Sequence, residues 1–412
     1  MALATATKVY AALERMGLVV GEVGRGTFVR EWQEDAERLR LSDHRLMAAM
    51  PRTAPIDLAF NYPETPGAGR LLEQALQTLQ ASGGMQRLME PLPVGGSPEV
   101  RAAVVRYLAS KGLEVLEDQV LMVGGAQQGL ACAVMALLQP GDVVVIDELT
   151  YPGFIALAQT QSLELQCCPW NASGPDLNAL ARLLVERPVK AVFTMPTLHN
   201  PTGWVMDMSS RQRLAALAMA HKVWLIEDAS YAFLAADTPA PLATFAPERT
   251  VYVNSLSKSV GGGLRLGFMA LPPGLVARFE RTLRTIAWSQ PTLMAALGAH
   301  WLDSGVVETL EQAKRADARL KQQLALRCLA GLDIQAHPDS FFVWIRLPES
   351  VRAEPLTLRL AEQGIAVTPS YAFAASGHYP HAIRLNLGAA SLAVLAHALP
   401  QVRDTIDEMA LA

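Results

Sequence analysis

From about Asp57 onward, short apolar runs alternate with helical periodicity. QVLMVGG, DVVVIDE, LELQCCPW, KAVFTMP, VWLIEDAS, TVYVNSL and LRLGFMAL read as strands. Helical patterns separate them, the first beginning at Ala126. Strands apolar on both faces and spaced by helices predict a parallel or mixed sheet covered on both sides. Ligands of such sheets sit at the carboxyl ends of the strands. The polar insertions GGAQQG, ELTYPG, TLHNPTG, EDASY and SLSKS fall at those ends. After about Leu302 the texture changes to one long helical pattern, VVETLEQAKRADARLKQQLALRCLA, followed by DIQAHPDSFFVWIRLP, GIAVTPS and AIRLNLG. The pattern predicts an α/β fold. A large domain over 57–300 carries a mostly parallel, helix-flanked sheet, and a smaller C-terminal α+β domain occupies 301–412. The segment FNYPETPGAG is expected to run over the mouth of the site.

Residues 1–30 differ in kind. TKVYAALERMGLV has helical spacing, and GEVGRGTFVR reads as a strand, a glycine-rich turn and a second strand. REWQEDAERLRLSDHRLMAAMPRTAP, which fills most of 31–56, is highly charged and closed by prolines. It reads as a linker with some helix.

The 412 residues suffice for two or three domains of ordinary size. Hydrophobic residues make up 51% of them, yet the longest apolar run, near GLACAVMALL, falls short of the roughly 18 residues of a membrane span. The start of the chain lacks the pattern of a signal peptide. A net charge of −4 does not favour nucleic acid as a partner of the whole chain. Cys132, Cys167, Cys168 and Cys328 are spaced for neither a zinc site nor a disulfide framework. They are expected to be free thiols in a reducing cytoplasm, with no metal.

One lysine, Lys258, stands on the glycine-rich loop of VNSLSKSVGGGLRLG, with Ser255, Ser257 and Ser259 around it and Arg265 beyond. Gly124, Gly125, Ala126 and Gln127 lie at a strand-to-helix turn, where free backbone N–H groups make a phosphate cradle. Tyr151 in TYPG offers a flat ring, Asn200 sits in HNPTG, and Asp228 and Tyr231 lie in EDASY. Each of these alone is an ordinary turn, cap or core residue. In this order, however, HNPTG, the Asp-x-x-Tyr of EDASY and Ser-x-Ser-Lys followed by arginine resemble the class I/II aminotransferases. These are fold-type I enzymes that use pyridoxal 5'-phosphate (PLP), and the resemblance runs from roughly Asp57 to the C-terminus.

The resemblance implies a PLP-dependent transferase fold with a seven-stranded sheet, and amino transfer between an α-amino acid and a 2-oxo acid. By that resemblance Lys258 forms a Schiff base with the PLP aldehyde, since an amine is the group that can. Asp228 keeps the pyridine nitrogen protonated, and Tyr231 and Asn200 hydrogen-bond the ring's phenolic oxygen. Lys258, Asp228 and Tyr231 are thus the implied catalytic set. Gly125, Ala126, Gln127, Ser255, Ser257 and Arg265 match the phosphate shell, where the planar fork of arginine offers paired donors. Tyr151 matches the residue that stacks on the ring. Arg384, in AIRLNLG, matches the arginine that clamps the substrate α-carboxylate beside Asn200. A homodimer is implied as well. There are departures: GGAQQ lacks the hydroxyls often found in that turn, which is expected to weaken phosphate holding somewhat. Gly262 stands where relatives often carry proline. LMEPLPVGGSPEVR lacks the tyrosine with which many relatives reach the phosphate of the other subunit.

TATKVYAALERMGLVVGEVGRGTFV resembles the recognition helix and wing of a GntR-type winged helix. A winged helix joined to an aminotransferase-like domain is the layout of the MocR group of bacterial regulators. A second reading is therefore a transcriptional regulator whose aminotransferase-like domain senses PLP or an amino acid. A winged helix ordinarily has further helices before the recognition helix, and about thirty residues bury too little surface to fold alone. Residues 1–30 are expected to be a truncated remnant, with DNA a partner only of a longer N-terminus.

Overall fold

The structure, a computed structural model, describes residues 9, 19–22, 26–29, 55–171, 174–376 and 379–411. The chain divides into two compact units, Met1–Thr53 and Ala54–Ala412. In the first, strands β1 (Val19–Glu22) and β2 (Gly26–Val29) pair antiparallel, from Val19 opposite Val29 to Glu22 opposite Gly26. Two strands are expected at these positions. The expected recognition helix, apart from Val9, and residues 31–54 of the expected linker lie outside the described residues. The last residue of that linker, Ile56, is already strand: β3 (Ile56–Asp57) pairs in parallel with Ile365–Ala366.

The second unit holds a seven-stranded sheet built from β4 (Val120–Val123), β5 (Val143–Asp147), β6 (Glu164–Cys168), β9 (Val189–Thr194), β10 (Trp224–Asp228), β11 (Thr250–Ser255) and β12 (Gly267–Ala270). A small ribbon, β7 (Trp170–Asn171) and β8 (Gly174–Pro175), follows β6. The strand order is β4-β12-β11-β10-β9-β5-β6. Neighbours run parallel except at β12, which is antiparallel to both β11 and β4. The near-continuous apolar strands follow from cover on both faces. Val123 and Val253 face Leu130, Ala133 and Val134 of the helix Ala126–Leu137. Their neighbours Met122 and Tyr252 face Val104 and Leu108 of Pro98–Ser110. Farther along, Val143 and Val192 meet Leu180 and Leu214 of the helices Leu177–Glu186 and Met208–His221.

A second sheet, β13 (Asp333–Ala336), β14 (Phe342–Arg346), β17 (Ala382–Asn386) and β16 (Thr368–Pro369), is antiparallel throughout; β15 is the Ile365–Ala366 partner of β3. The helices Val306–Cys328 and Leu392–Leu411 pack with it: Ala318, Ala325, Leu395, Leu399 and Ile406 share one buried cluster with Val343, Ile383 and Leu385. No helix of the described residues is long and apolar enough to cross a membrane.

The reversed strand positions the site. Because β12 runs opposite to its neighbours, its first residue lies at the edge where they end. Gly267 pairs with both Ser255 and Val123. Residues just past the ends of β4, β10 and β11 therefore meet those just before β12.

Candidate functional site

Lys258 follows β11 in a turn closed by the Val260 N–H on Leu256 O at 2.8 Å. Its Nζ donates to Asn61 O and lies 4.1 Å from the centroid of the Tyr62 ring. The segment expected at the mouth thus rests on the lysine itself. Tyr62 also accounts for Gly262: a Cβ at that position would come within 2.6 Å of the ring, so a larger residue meets it. Burial, then the charges of Arg384 and Arg265, push the Lys258 amine down to about 7, and Asp228 acts against them.

Asp228 is buried at the end of β10. Its Oδ1 accepts from Ser230 N at 2.9 Å and Ser230 Oγ at 2.5 Å. Burial raises its carboxyl, while Ser230 and Lys258 pull it down. Tyr231 packs edge-on against Phe342, with centroids 4.9 Å apart. Burial drives its phenol well above the usual range. Tyr151 precedes the helix Pro152–Thr160. Burial pushes its hydroxyl up to about 12, with Asp228 adding to the shift and Arg265 opposing it.

Asn200 and Arg384 lie 184 residues apart in the chain and join directly: Arg384 Nη1 donates to Asn200 Oδ1 at 2.9 Å. The other Arg384 nitrogen, Nη2, donates to Ala59 O and to Thr368 Oγ1 at 3.2 Å. The guanidinium lies between the rings of Phe342 and Phe373, 5.2 and 4.9 Å from their centroids. Burial pushes it down to about 10, with Tyr231 and Asp57 opposing. The Arg384 Nε is buried with no hydrogen-bond partner.

At the end of β4, Gly125 takes φ 92° as the cap residue of Ala126–Leu137, and no side chain caps that helix. Arg265 Nη2 donates to Gly124 O at 3.2 Å, and a Cβ on Gly125 would stand 3.2 Å from the same nitrogen. Ser255 Oγ donates to Leu266 O at 3.2 Å and accepts from Ser257 N at 3.0 Å. Ser257 Oγ is buried without a partner. Ala126 opens the helix and can offer only its backbone.

The structure therefore brings Lys258, Asp228, Tyr231, Tyr151, Asn200, Arg384, Ser255, Ser257, Arg265 and the Gly125–Ala126 turn to one sheet edge. Gln127 belongs to the turn by its backbone alone, because its side chain bonds Gly153 O at 3.0 Å. Gln128 acts in the turn instead: its Oε1 accepts from Gly124 N and from Gln290 Nε2 at 2.9 Å. Sequence reading missed Gln128. It also missed a buried support beneath Asn200. His199 stacks on Trp204 with centroids 4.4 Å apart, and its Nδ1 lies 2.8 Å from Thr202 Oγ1. Its Nε2 lies 3.5 Å from Asp147 Oδ2, which accepts from Thr194 Oγ1 at 3.0 Å. The available signal was an aspartate closing the apolar run of β5. Among the described residues no group of three or more His, Cys, Asp or Glu could hold a metal, and the four cysteines are free.

The chain is similar to known proteins in sequence and in fold. A B. subtilis HTH-type transcriptional regulator, YdeF, is 27% identical over 409 residues, covering 98% of this chain and 86% of that one. A 2-aminoadipate transaminase of Thermus thermophilus is 27% identical, covering 70% of this chain and 76% of its own length. The kynurenine aminotransferase of Pyrococcus horikoshii superposes with a TM-score of 0.82 over 89% of this chain and 94% of that one, at 22% identity, which speaks to the fold. The model of the family described as "Aminotransferase class I and II" matches residues 53–401. With most of its length so matched, the chain belongs to the class I and II aminotransferase family.

Proposed function

We propose that this protein is a PLP-dependent transaminase that moves an amino group between an α-amino acid and a 2-oxo acid. The observation that carries the reading is the Lys258 amine. It is held near neutrality by burial and by Arg384 and Arg265, beside the buried Asp228. The edge fits the cofactor. Ser257 Oγ is a buried hydroxyl without a partner, the helix at Ala126 starts on uncapped N–H groups, and Gly125 leaves open the space beside Arg265. When bound, PLP supplies an aldehyde carbon and a ring that accepts electrons.

The chain's own groups divide the work. Ser255, Ser257, Arg265 and the Gly125–Ala126 backbone would hold the phosphate of PLP, and Gln127 would add its N–H. Asp228 would favour the protonated form of the pyridine nitrogen. Tyr151 would stack on the ring, and Tyr231 with Asn200 would hydrogen-bond its phenolic oxygen. Arg384 takes the substrate carboxylate by a paired fork, exchanging its present bonds to Ala59 and Thr368 for it. Lys258 Nζ, whose burial and cationic neighbours favour the neutral amine, accepts the Cα proton and returns it on the other side of the reaction. The protein works as a homodimer in the cytoplasm. Exposed apolar groups such as Met89 and Trp288 support the first, and four unpaired cysteines the second.

Formation of a 2-oxo acid by the purified chain with PLP, across a panel of amino acids, tests the proposal. Activity with at least one donor is expected, together with its loss in Lys258→Ala. Retained activity in that variant overturns it. A second reading, a regulator that holds PLP as a sensed ligand, draws on the β1–β2 hairpin and the match to YdeF. It takes the lead where PLP is held and no donor is turned over.

A further inference from the structure

Lys314 and Lys321 lie two turns apart on the long helix Val306–Cys328, 4% and 3% exposed. Lys321 has a carboxylate partner, Asp317 at 2.7 Å. Lys314 has none among the described ion pairs. Its Nζ donates instead to two backbone carbonyls, Lys258 O at 3.0 Å and Pro63 O at 3.4 Å. An unpaired buried ammonium is expensive, and here it is placed on the main chain of the lysine at the centre of the site. Three other ties join the same two segments. Thr65 Oγ1 donates to Val260 O at 2.8 Å, Lys258 Nζ donates to Asn61 O, and the Tyr62 ring packs where Gly262 has no side chain.

We propose that Lys314 is a positioning residue for Lys258, clasping the lysine loop to the Asn61–Thr65 segment so that Nζ stays directed into the site. The proposal rests on reading Lys258 as the reacting amine, but the hydrogen bonds of Lys314 Nζ go to backbone carbonyls. Its charge has a second consequence: a nearby ammonium disfavours protonation of Lys258. The other charged groups acting on the pair are Asp317 and Lys321 beside Lys314, and Arg384, Arg265 and Asp228 beside Lys258.

The test uses the full ligand-free chain and three variants, Lys314→Met, Lys314→Gln and Lys314→Arg. Amide hydrogen exchange is followed over residues 59–66 and 256–264. The pH midpoint of Lys258 acetylation is read by peptide mass spectrometry. In Lys314→Met, faster exchange in both segments is expected, with β4 and β5 unchanged, and the acetylation midpoint moves up. Lys314→Arg restores slow exchange and the lower midpoint. Lys314→Gln, which keeps a donor without charge, raises the midpoint and serves where the methionine variant does not fold. Unchanged exchange and an unchanged midpoint in the uncharged variants overturn the proposal. If those shifts appear while Lys258→Ala still transfers amino groups, the functional reading falls and the clasp stands.

Discussion

Lys258 is predicted to lower the stability of the ligand-free protein, and replacing it with methionine to raise it. In the unfolded chain the amine has the ordinary lysine value, and in the folded chain burial and two arginines hold it at about 7. Between those values the unfolded chain binds the proton more tightly. Stability is therefore greatest above the unfolded value, falls as the pH drops, and levels off below about 7. Each pH unit in that window is worth about 1.4 kcal/mol, which sets a ceiling of about 4 kcal/mol at neutral pH. Lys258 retains some contact with solvent, and screening reduces the figure to about 2 kcal/mol. Methionine keeps the bulk of the stem but loses the bond to Asn61 O, a loss of about 1 kcal/mol. Lys258→Met should therefore exceed the parent by about 1 kcal/mol at pH 7, with an upper bound near 3 kcal/mol. Urea unfolding midpoints measured from about pH 7 to about pH 10 read the difference. It should shrink steadily with pH and reverse near the upper end, where only the lost hydrogen bond remains. Lys314, held at about 8, titrates in the same window but is common to both chains. A difference that stays flat with pH, or a variant less stable at pH 7, refutes the reasoning.

Two other perturbations probe the scaffold. A Cβ on Gly267 would stand 2.7 Å from Asn254 O and 2.9 Å from Gly125 Cα, both backbone. Gly267→Ala should lower stability by about 1–3 kcal/mol and push β12 from the Gly124–Ala126 turn; an unchanged melting temperature together with unchanged PLP binding rejects that account. Glu227, beside Asp228 but on the other face of β10, is buried, with Oε2 accepting from Ala243 N at 3.2 Å. Burial pushes its carboxyl up to about 7, with Arg211 opposing. Its folded value lies above the unfolded one, so it favours the folded state in acid and loses that contribution as pH rises through the interval up to about 7. Glu227→Gln should be the more stable chain above pH 7 by about 1–3 kcal/mol, the gap closing towards pH 4. Calorimetric melting at several pH values checks this, and a gap of constant size counts against it.

Much of the site was legible along the chain because local chemistry demands particular residues at particular places. A turn that opens a helix on free N–H groups is written GGA at 124–126, and an amine on a glycine-rich loop stands out as the single lysine of SLSKSVGGG. The alternation of apolar strands and helices likewise announced a covered, mostly parallel sheet. Three features had no such signature. The reversal of β12, which brings Arg265 to the edge where β4 and β11 end, is a matter of hydrogen-bond direction that an apolar run carries equally in either sense. The turning away of Gln127 in favour of Gln128 depends on which partner, Gly153 O or Gly124 N, lies within reach. The linking of Asn61, Lys258 and Lys314 joins residues from three separate elements. Sequence pattern determined the fold class and the residue types of the site, since both rest on periodicity and on short-range motifs. The direction of one strand, the choice between neighbouring glutamines and the burial that sets the charge of Lys258 were decided only in three dimensions, because each depends on contacts between segments that the order of residues does not place together.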